Sequence, residues 1–485
     1  GRAIVIGAGP AGLTAAYELT KHGHTPLVFE KDNLVGGISR TQEYKGFHFD
    51  MGGHRFYTKS QEVKNLWWEV MGDQFLLRPR LSRIYYERKF FKYPPEPFDA
   101  LSGLGVIEAF RIVTSYLKYQ IFPNRNVQTF EDWTTNAFGK RLFQIFFKGY
   151  TEKVWGISTS ELRAEWAAQR IKNLSIWTAL TNALQKGTGK VKSLIEQFHY
   201  PRLGPGQMWR CFAQAVEDRN GSVEMNTDVV AIHHENNRAT AVTVRNGDAT
   251  ERHEADLVFS SMPVTELIKK MDPPPPADIL EAAHTLKYRD FLTVCLIVDC
   301  EHLFPDNWIY VHDTSVNVGR IQCFKNWSPD MVPDPSKTSL GLEYFCNEGD
   351  DVWSMADEDL IALGSKELET IGLANADQVI DGVVYRIPKA YPVYDADYRA
   401  ALDKIQTYLN GFDNIQSIGR NGLHRYNNQD HSMLTGVHAV RNVLLGQSVD
   451  VWRINGEDDY LEEELMDESN SASNGKGSFN LQPAE

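Results

Sequence analysis

The apolar positions of this chain change period several times, and the first change falls within its opening forty residues. Ala3–Ile6 is a continuous apolar run, Leu13–Leu19 repeats apolar residues three and four apart, and Pro26–Phe29 is continuous again. Short continuous runs fit strands buried on both faces, and the 3.6-residue repeat fits a helix between them. The pattern predicts the strand–helix–strand opening of a doubly wound α/β domain. Gln61–Met71 reads as a helix with Val63, Leu66, Trp67 and Val70 on one face, and Arg83–Tyr93 as a hairpin stopped by Pro94-Pro95-Glu96-Pro97. From Phe98 to about Tyr200 the helical period prevails, long enough for an inserted helical domain. Leu203-Gly204-Pro205-Gly206 then returns the chain to the first domain, with a helix over Met208–Asp218 and strands at Ser222–Ile232, Ala239–Arg245 and Leu257–Ser260. Phe291–Val298, Trp308–Val311, Arg320–Phe324 and Leu340–Phe345 predict a second sheet; a helix at Asp357–Ile371, strands to about Ile387 and a last helix from about Met433 follow.

The expected fold class is therefore α/β: a Rossmann-type nucleotide-binding domain, an inserted helical domain and a second, largely antiparallel sheet. The first is expected from residues 1–80, 201–290 and 400–455, the helical insert from 98–200, and the antiparallel-sheet substrate domain from 81–97 with 291–399.

The turn between the first strand and helix carries the chemistry. Gly7-Ala8-Gly9-Pro10-Ala11-Gly12 is a G-x-G-x-x-G pattern, and Glu30 ends the next strand eighteen residues after Gly12. Gly7 permits the tight turn, Gly9 lets backbone approach a pyrophosphate, and Gly12 packs helix against strand. The helix N-terminus directs its free N–H groups at phosphate, and the Glu30 carboxylate is placed to accept from ribose hydroxyls. This implies an adenine dinucleotide. Two further glycine pairs, Gly36-Gly37 before Ser39 and Gly52-Gly53 before His54, suggest backbone close to a second, flat part of the ligand.

Composition narrows the class. The 485 residues are 42% apolar and 24% charged, with a net charge of −14. That balance argues against a general nucleic-acid or membrane-surface binder. Much of the acidity lies in residues 456–485, where nine acids face one lysine, and that tail reads as disordered. Five cysteines without a C-x-x-C pair, and histidines without metal spacing, give no reason to expect a metal or redox disulfide. The apolar run Phe291–Val298 is too short to span a bilayer, and the nucleotide fold opens at residue 3. A cytoplasmic protein with neither leader nor transmembrane segment is expected.

Several stretches together resemble UDP-galactopyranose mutase, within the flavoprotein superfamily of amine oxidases and protoporphyrinogen oxidase. They are Gly52-Gly53-His54, Lys92-Tyr93-Pro94, Thr129-Phe130-Glu131-Asp132-Trp133, Lys153-Val154-Trp155, Trp308-Ile309-Tyr310, Arg320, Tyr391-Pro392, Gly419-Arg420 and Asn428-Gln429-Asp430-His431-Ser432. The resemblance implies FAD, held by Gly7, Gly9, Ala11, Gly12, Glu30, Gly37, Ser39, Gly52, Gly53, His54, Val229, Arg420, Gln429 and Ser432. It implies a nucleotide-diphosphate sugar whose pyranose and furanose rings are interconverted through reduced FAD without net redox change. NAD(P)H or another reductant would prime the flavin. Tyr93, Trp133, Trp308, Tyr310, Arg320, Tyr391, Tyr426 and Asn428 match residues that line the substrate site. Arg320 matches one of two diphosphate-binding arginines, and Lys148 stands at the position of the other, keeping the charge without the guanidinium fork. His54 would flank the isoalloxazine ring. Glu96 replaces a uridine-contacting glutamine, so the base read here need not be uracil.

Each of these has a structural alternative. Arg320 is one half of a surface salt bridge in such a reading, Lys148 a solvated helix charge, and His54 the closure of a Gly-rich turn. Glu152 and Asp132 read as caps or helix-face charges. The competing activity is oxidation of a small molecule by an FAD enzyme of the amine- or protoporphyrinogen-oxidase kind; a flavin-bound scaffold tied to partners through the acidic tail is the non-enzymatic alternative.

Overall fold

A computed structural model describes residues 1–54, 56–93, 97–165 and 197–455. Arg55, Glu96, residues 166–196 of the expected helical insert and the acidic tail lie outside the described residues.

The opening unit forms as its periodicity requires. β1 (Ala3–Ile6) is wholly buried, α1 runs Pro10–Lys21, and β2 (Leu27–Phe29) lies parallel to β1. They sit in a five-stranded parallel sheet whose order is Ile415–Ser417, Leu257–Ser260, β1, β2, Ser222–Glu224. The helix Gln429–Leu445 packs along α1 so closely that a Cβ at Gly436 would come within 2.6 Å of Ala11 O. A glycine is thus the only residue that fits there. That helix starts four residues earlier than its apolar period suggests, because Asn428 and His431 form a capping box ahead of it.

The segment read as one strand, Ser222–Ile232, is two. Ser222–Glu224 belongs to the parallel sheet, and Asp228–Glu235 to a separate four-stranded sheet with Arg238–Asn246, Ala249–Glu254 and Met271–Asp272. Asn226, at φ +54°, turns the chain between them, a left-handed conformation that asparagine tolerates.

The second large sheet has seven strands: Val379–Pro392, Tyr288–Val298, Thr338–Cys346, Arg320–Cys323, Trp308–Val311, Ser82–Tyr86 and Lys89–Lys92. Every pairing is antiparallel except that of Trp308–Val311 with Ser82–Tyr86. Tyr288–Val298 is buried on both faces apart from Tyr288, which explains its unbroken apolar run.

Helices fill most of Pro97–Trp155. Helical reading overshoots at the end of this stretch: Gln197–Pro201 is a strand, paired antiparallel with Phe75–Pro79. Its Phe198 and Tyr200 are buried while Gln197 and His199 are exposed, a period of two over too few residues to outweigh the helical context.

Candidate functional site

The glycine-rich turn folds around a void. Gly7 adopts φ +97°, and a Cβ on Gly12 would lie 1.9 Å from Gly7 O, so the turn and the α1 packing both exclude a side chain. Gly9 and Gly37 face each other, each within 3.5 Å of the other's Cα were a Cβ added. Glu30 is buried and accepts from Ala8 N at 2.8 Å and Asp32 N at 3.0 Å. Burial raises its pKa, and the two backbone donors work against that. Gly7, Gly9, Ala11, Glu30, Gly37, Ser39 and Val229 all line one cavity of about 720 Å³. Gly12 is the exception, supporting that wall from behind.

The cavity continues to Gly52, Gly53 and His54, and to Arg420, Gln429 and Ser432 on the opposite wall. His54 is held by a 2.9 Å contact between Nε2 and Met51 O, and burial lowers its pKa to about 4, so the ring is neutral at pH 7. Arg420 donates from Nε to Ala390 O and from Nη1 to Asn427 O, both at 2.9 Å, and its guanidinium lies 4.2 Å from the Tyr426 ring centroid. Its Nη2 is buried without a partner. So are Asn421 Oδ1, Asn427 Nδ2 and both amide atoms of Gln429, all on residues lining this cavity. A buried polar atom left unpaired costs about 1–3 kcal/mol, and these five are covered by neighbouring protein atoms although their residues line the cavity. The facing backbone of Gly9 and Gly37 forms a cradle that added Cβ atoms would fill and, with Glu30 at one end and Gly52-Gly53 at the other, lines a single cavity; the residues present fit FAD.

A smaller cavity of about 70 Å³ adjoins the first, sharing Gly53, His54, Arg320, Asn428 and Gln429 with it. Its other walls are Tyr93, Trp308, Tyr310, Gln322 and Trp327. Arg320 stands at the junction. Its Nε donates to Glu343 Oε2 at 2.7 Å, and its Nη2 donates to Glu343 Oε1 at 3.2 Å and to the Tyr391 hydroxyl at 2.9 Å. Burial opposes the charge on Arg320, but the Glu343 carboxylate and neighbouring tyrosines outweigh it and hold the guanidinium ionised. Tyr391 stacks on Tyr426 with ring centroids 5.6 Å apart, and burial pushes its phenol up to about 12, leaving it a proton donor at pH 7.

Two expected site residues do not join the others. Lys148 ends the π-helical segment Phe143–Lys148, which buries Phe143, Ile145 and Phe146 and leaves Lys148 exposed, lining neither cavity. Tyr150, two residues on, is the one that meets Tyr310, with centroids 5.5 Å apart. Trp133 is half-buried against Phe138 and lines neither cavity. Asp132 caps its own helix, its carboxylate accepting from Thr129 N at 3.0 Å while Thr129 Oγ1 accepts from Asp132 N at 3.1 Å.

Three functional neighbours escape sequence reasoning: Glu343, Gln322 and Trp327. Glu343 is fully buried inside Thr338–Cys346, and a lone carboxylate in so apolar a strand is itself the signal of a paired internal charge. Gln322 donates to Glu343 at 3.4 Å and accepts from the Trp327 indole at 3.1 Å.

Comparisons with known proteins agree with this fold. Residues 10–413 match the family model described as flavin containing amine oxidoreductase. The crystal structure of a reduced UDP-galactopyranose mutase superposes with a TM-score of 0.82 over 94% of this chain and 98% of its own, at 22% identity. A protein named as a probable UDP-galactopyranose mutase of Klebsiella pneumoniae is 26% identical over 33% of this chain and 42% of its own length. A 1-hydroxycarotenoid 3,4-desaturase of Flavobacterium is 24% identical over 54% of this chain and 57% of its own length. The chain thus spans only about half the length of the curated relatives it matches. The dinucleotide turn and the flavin family together specify FAD as the cofactor. With its fingerprint glycines, its Glu30 carboxylate and a matching model over most of its length, this chain belongs to the flavin-containing amine oxidoreductase family.

Proposed function

We propose that this protein is an FAD-dependent mutase that interconverts the pyranose and furanose rings of a nucleotide-diphosphate sugar without net redox change. One observation carries the reading: Arg320 lines both the flavin cavity and the aromatic chamber beside it, where an anionic substrate group would meet the reacting ring.

Reduced FAD, once primed by NAD(P)H or another external reductant, supplies a nucleophile toward the anomeric carbon. The protein's part is binding and charge. The ionised guanidinium of Arg320 is fixed by Glu343 and attracts the diphosphate both before and after its bond to the sugar breaks, keeping it close for recapture. The protonated hydroxyl of Tyr391 and the amide of Asn428 are hydrogen-bond donors to the same group. Tyr93, Trp308 and Tyr310 give the chamber its aromatic walls. His54, uncharged, holds the Gly52-Gly53 turn by its contact with Met51 O and adds no cation beside the ring.

A second reading, oxidation of a small molecule, is favoured by one feature: Glu343 already balances the charge on Arg320. Titration of the reduced holoprotein with UDP, GDP and ADP separates the two. The mutase reading expects saturable binding of at least one diphosphate, weakened roughly ten-fold or more by Arg320→Ala, as befits a lost charge-assisted hydrogen bond. Absence of binding by all three nucleotides would favour the oxidase.

A further inference from the structure

The helix Val106–Ile121 is turned inside out for a soluble fold. It buries Ile112 and Tyr116 and exposes Val106, Ile107, Phe110, Val113, Leu117 and Ile121, with exposures from 43% to 87%; Phe122, next in the chain, is 72% exposed. At 3.6 residues per turn these six side chains fall in a single stripe of about 120° along the helix. A contiguous exposed apolar stripe of this size marks an interaction surface.

Charge says what kind. Arg111 and Lys118, both exposed, run along one edge of the stripe, and exposed Arg125 follows it in the chain. The one acid on this helix, Glu108, is already engaged by Arg141 and by Arg111. The stripe therefore has a basic border on a chain whose net charge is −14. A second copy seated on this face would bring two basic borders together, whereas an anionic lipid surface complements both the border and the stripe. At 16 residues, with charges along its edge, the helix is too short to span a bilayer and is suited to lie in its interface.

We propose that Val106–Phe122 is a peripheral membrane-docking element that seats this protein on anionic lipid. The full-length holoprotein is sedimented with vesicles of phosphatidylcholine alone and of phosphatidylcholine mixed with phosphatidylglycerol. The double variant Phe110→Ser/Ile121→Ser tests the apolar stripe and Lys118→Gln/Arg125→Gln tests the border; bound flavin and melting temperature verify that each is folded. Wild type is expected to partition to the mixed vesicles and only weakly to the neutral ones. The serine variant should bind roughly ten-fold less or worse, and the glutamine variant should lose the preference for anionic lipid. Equal partition of wild type and serine variant, or no binding to mixed vesicles, overturns the proposal. So does a lipid-free wild-type dimer that Phe110→Ser converts to monomer, since the face would then be a contact between copies.

Discussion

Arg320 binds two elements of the site into one, and its partners define what each substitution should do. Arg320→Ala removes a charged donor from the junction of the two cavities, and about 1.5–3 kcal/mol of interaction with an anionic substrate should go with it. In turnover this reads as a ten- to hundred-fold fall in kcat/KM, roughly. Glu343→Gln leaves that guanidinium buried without its counter-charge; a loss of about 3–5 kcal/mol in denaturant unfolding is expected, against a near-neutral Lys148→Ala within about 0.5 kcal/mol. A Lys148→Ala enzyme with Arg320→Ala-like kinetics would return the lysine to the site. Much of this constellation was legible in the sequence: Arg320, Tyr391, Tyr426, Asn428, Trp308 and Tyr310 were singled out and do line the two cavities. Glu343 was not, since a carboxylate inside a buried strand announces a partner without naming it. Lys148 lines neither cavity, because the π-helical turn Phe143–Lys148 leaves it exposed, and nothing in that segment encodes the turn visibly.

Among the elements, strand–turn–helix at Ala3–Lys21 is the one the chain encodes most completely, since each fingerprint glycine answers a local steric demand. Gly12→Ala would place a methyl 1.9 Å from Gly7 O and force the turn away from α1. The expected result is colourless protein with lowered melting temperature. Glu30→Ala should be milder, folding normally but releasing FAD more readily on dialysis, because Ala8 N and Asp32 N lose their common acceptor at the ribose end. Retention of FAD as tight as wild type would show that Glu30 only supports the loop. Elements decided by distant pairing were less legible. Gln197–Pro201 becomes a strand by meeting Phe75–Pro79, more than a hundred residues away in the chain, and local periodicity carries no record of that partner. The break at Asn226 is likewise set by two sheets competing for one stretch.

For the whole molecule, burial of histidine sets the acid response. His54, His312 and His424 have pKa values lowered to about 4, 3 and 4, chiefly by burial, against an ordinary value of 6.5. Between those limits the unfolded chain binds protons that the folded one refuses, so stability is complete above about pH 6.5 and is lost as pH falls toward 4. Glu30 and Asp50, whose carboxyls burial raises, act in the opposite sense, two groups against six histidines once His48, His199 and His438, also lowered by burial, are counted. The melting temperature of the holoprotein is therefore expected to decline steadily across this window, and a rise would contradict the account. Net charge, by contrast, hid the basic border of Val106–Ile121, because the acids elsewhere in the chain dominate the sum. No helix among the described residues is long and apolar enough to cross a membrane. The central claim, mutase rather than oxidase, is tested most directly by anaerobic turnover of dithionite-reduced protein with candidate nucleotide sugars, UDP-galactopyranose first, while flavin absorbance is followed. A mutase interconverts pyranose and furanose sugar over many turnovers with the flavin still reduced and no further reductant consumed. Failure with every nucleotide sugar, together with anaerobic bleaching of the oxidised protein by an amine or another non-sugar substrate, would contradict it.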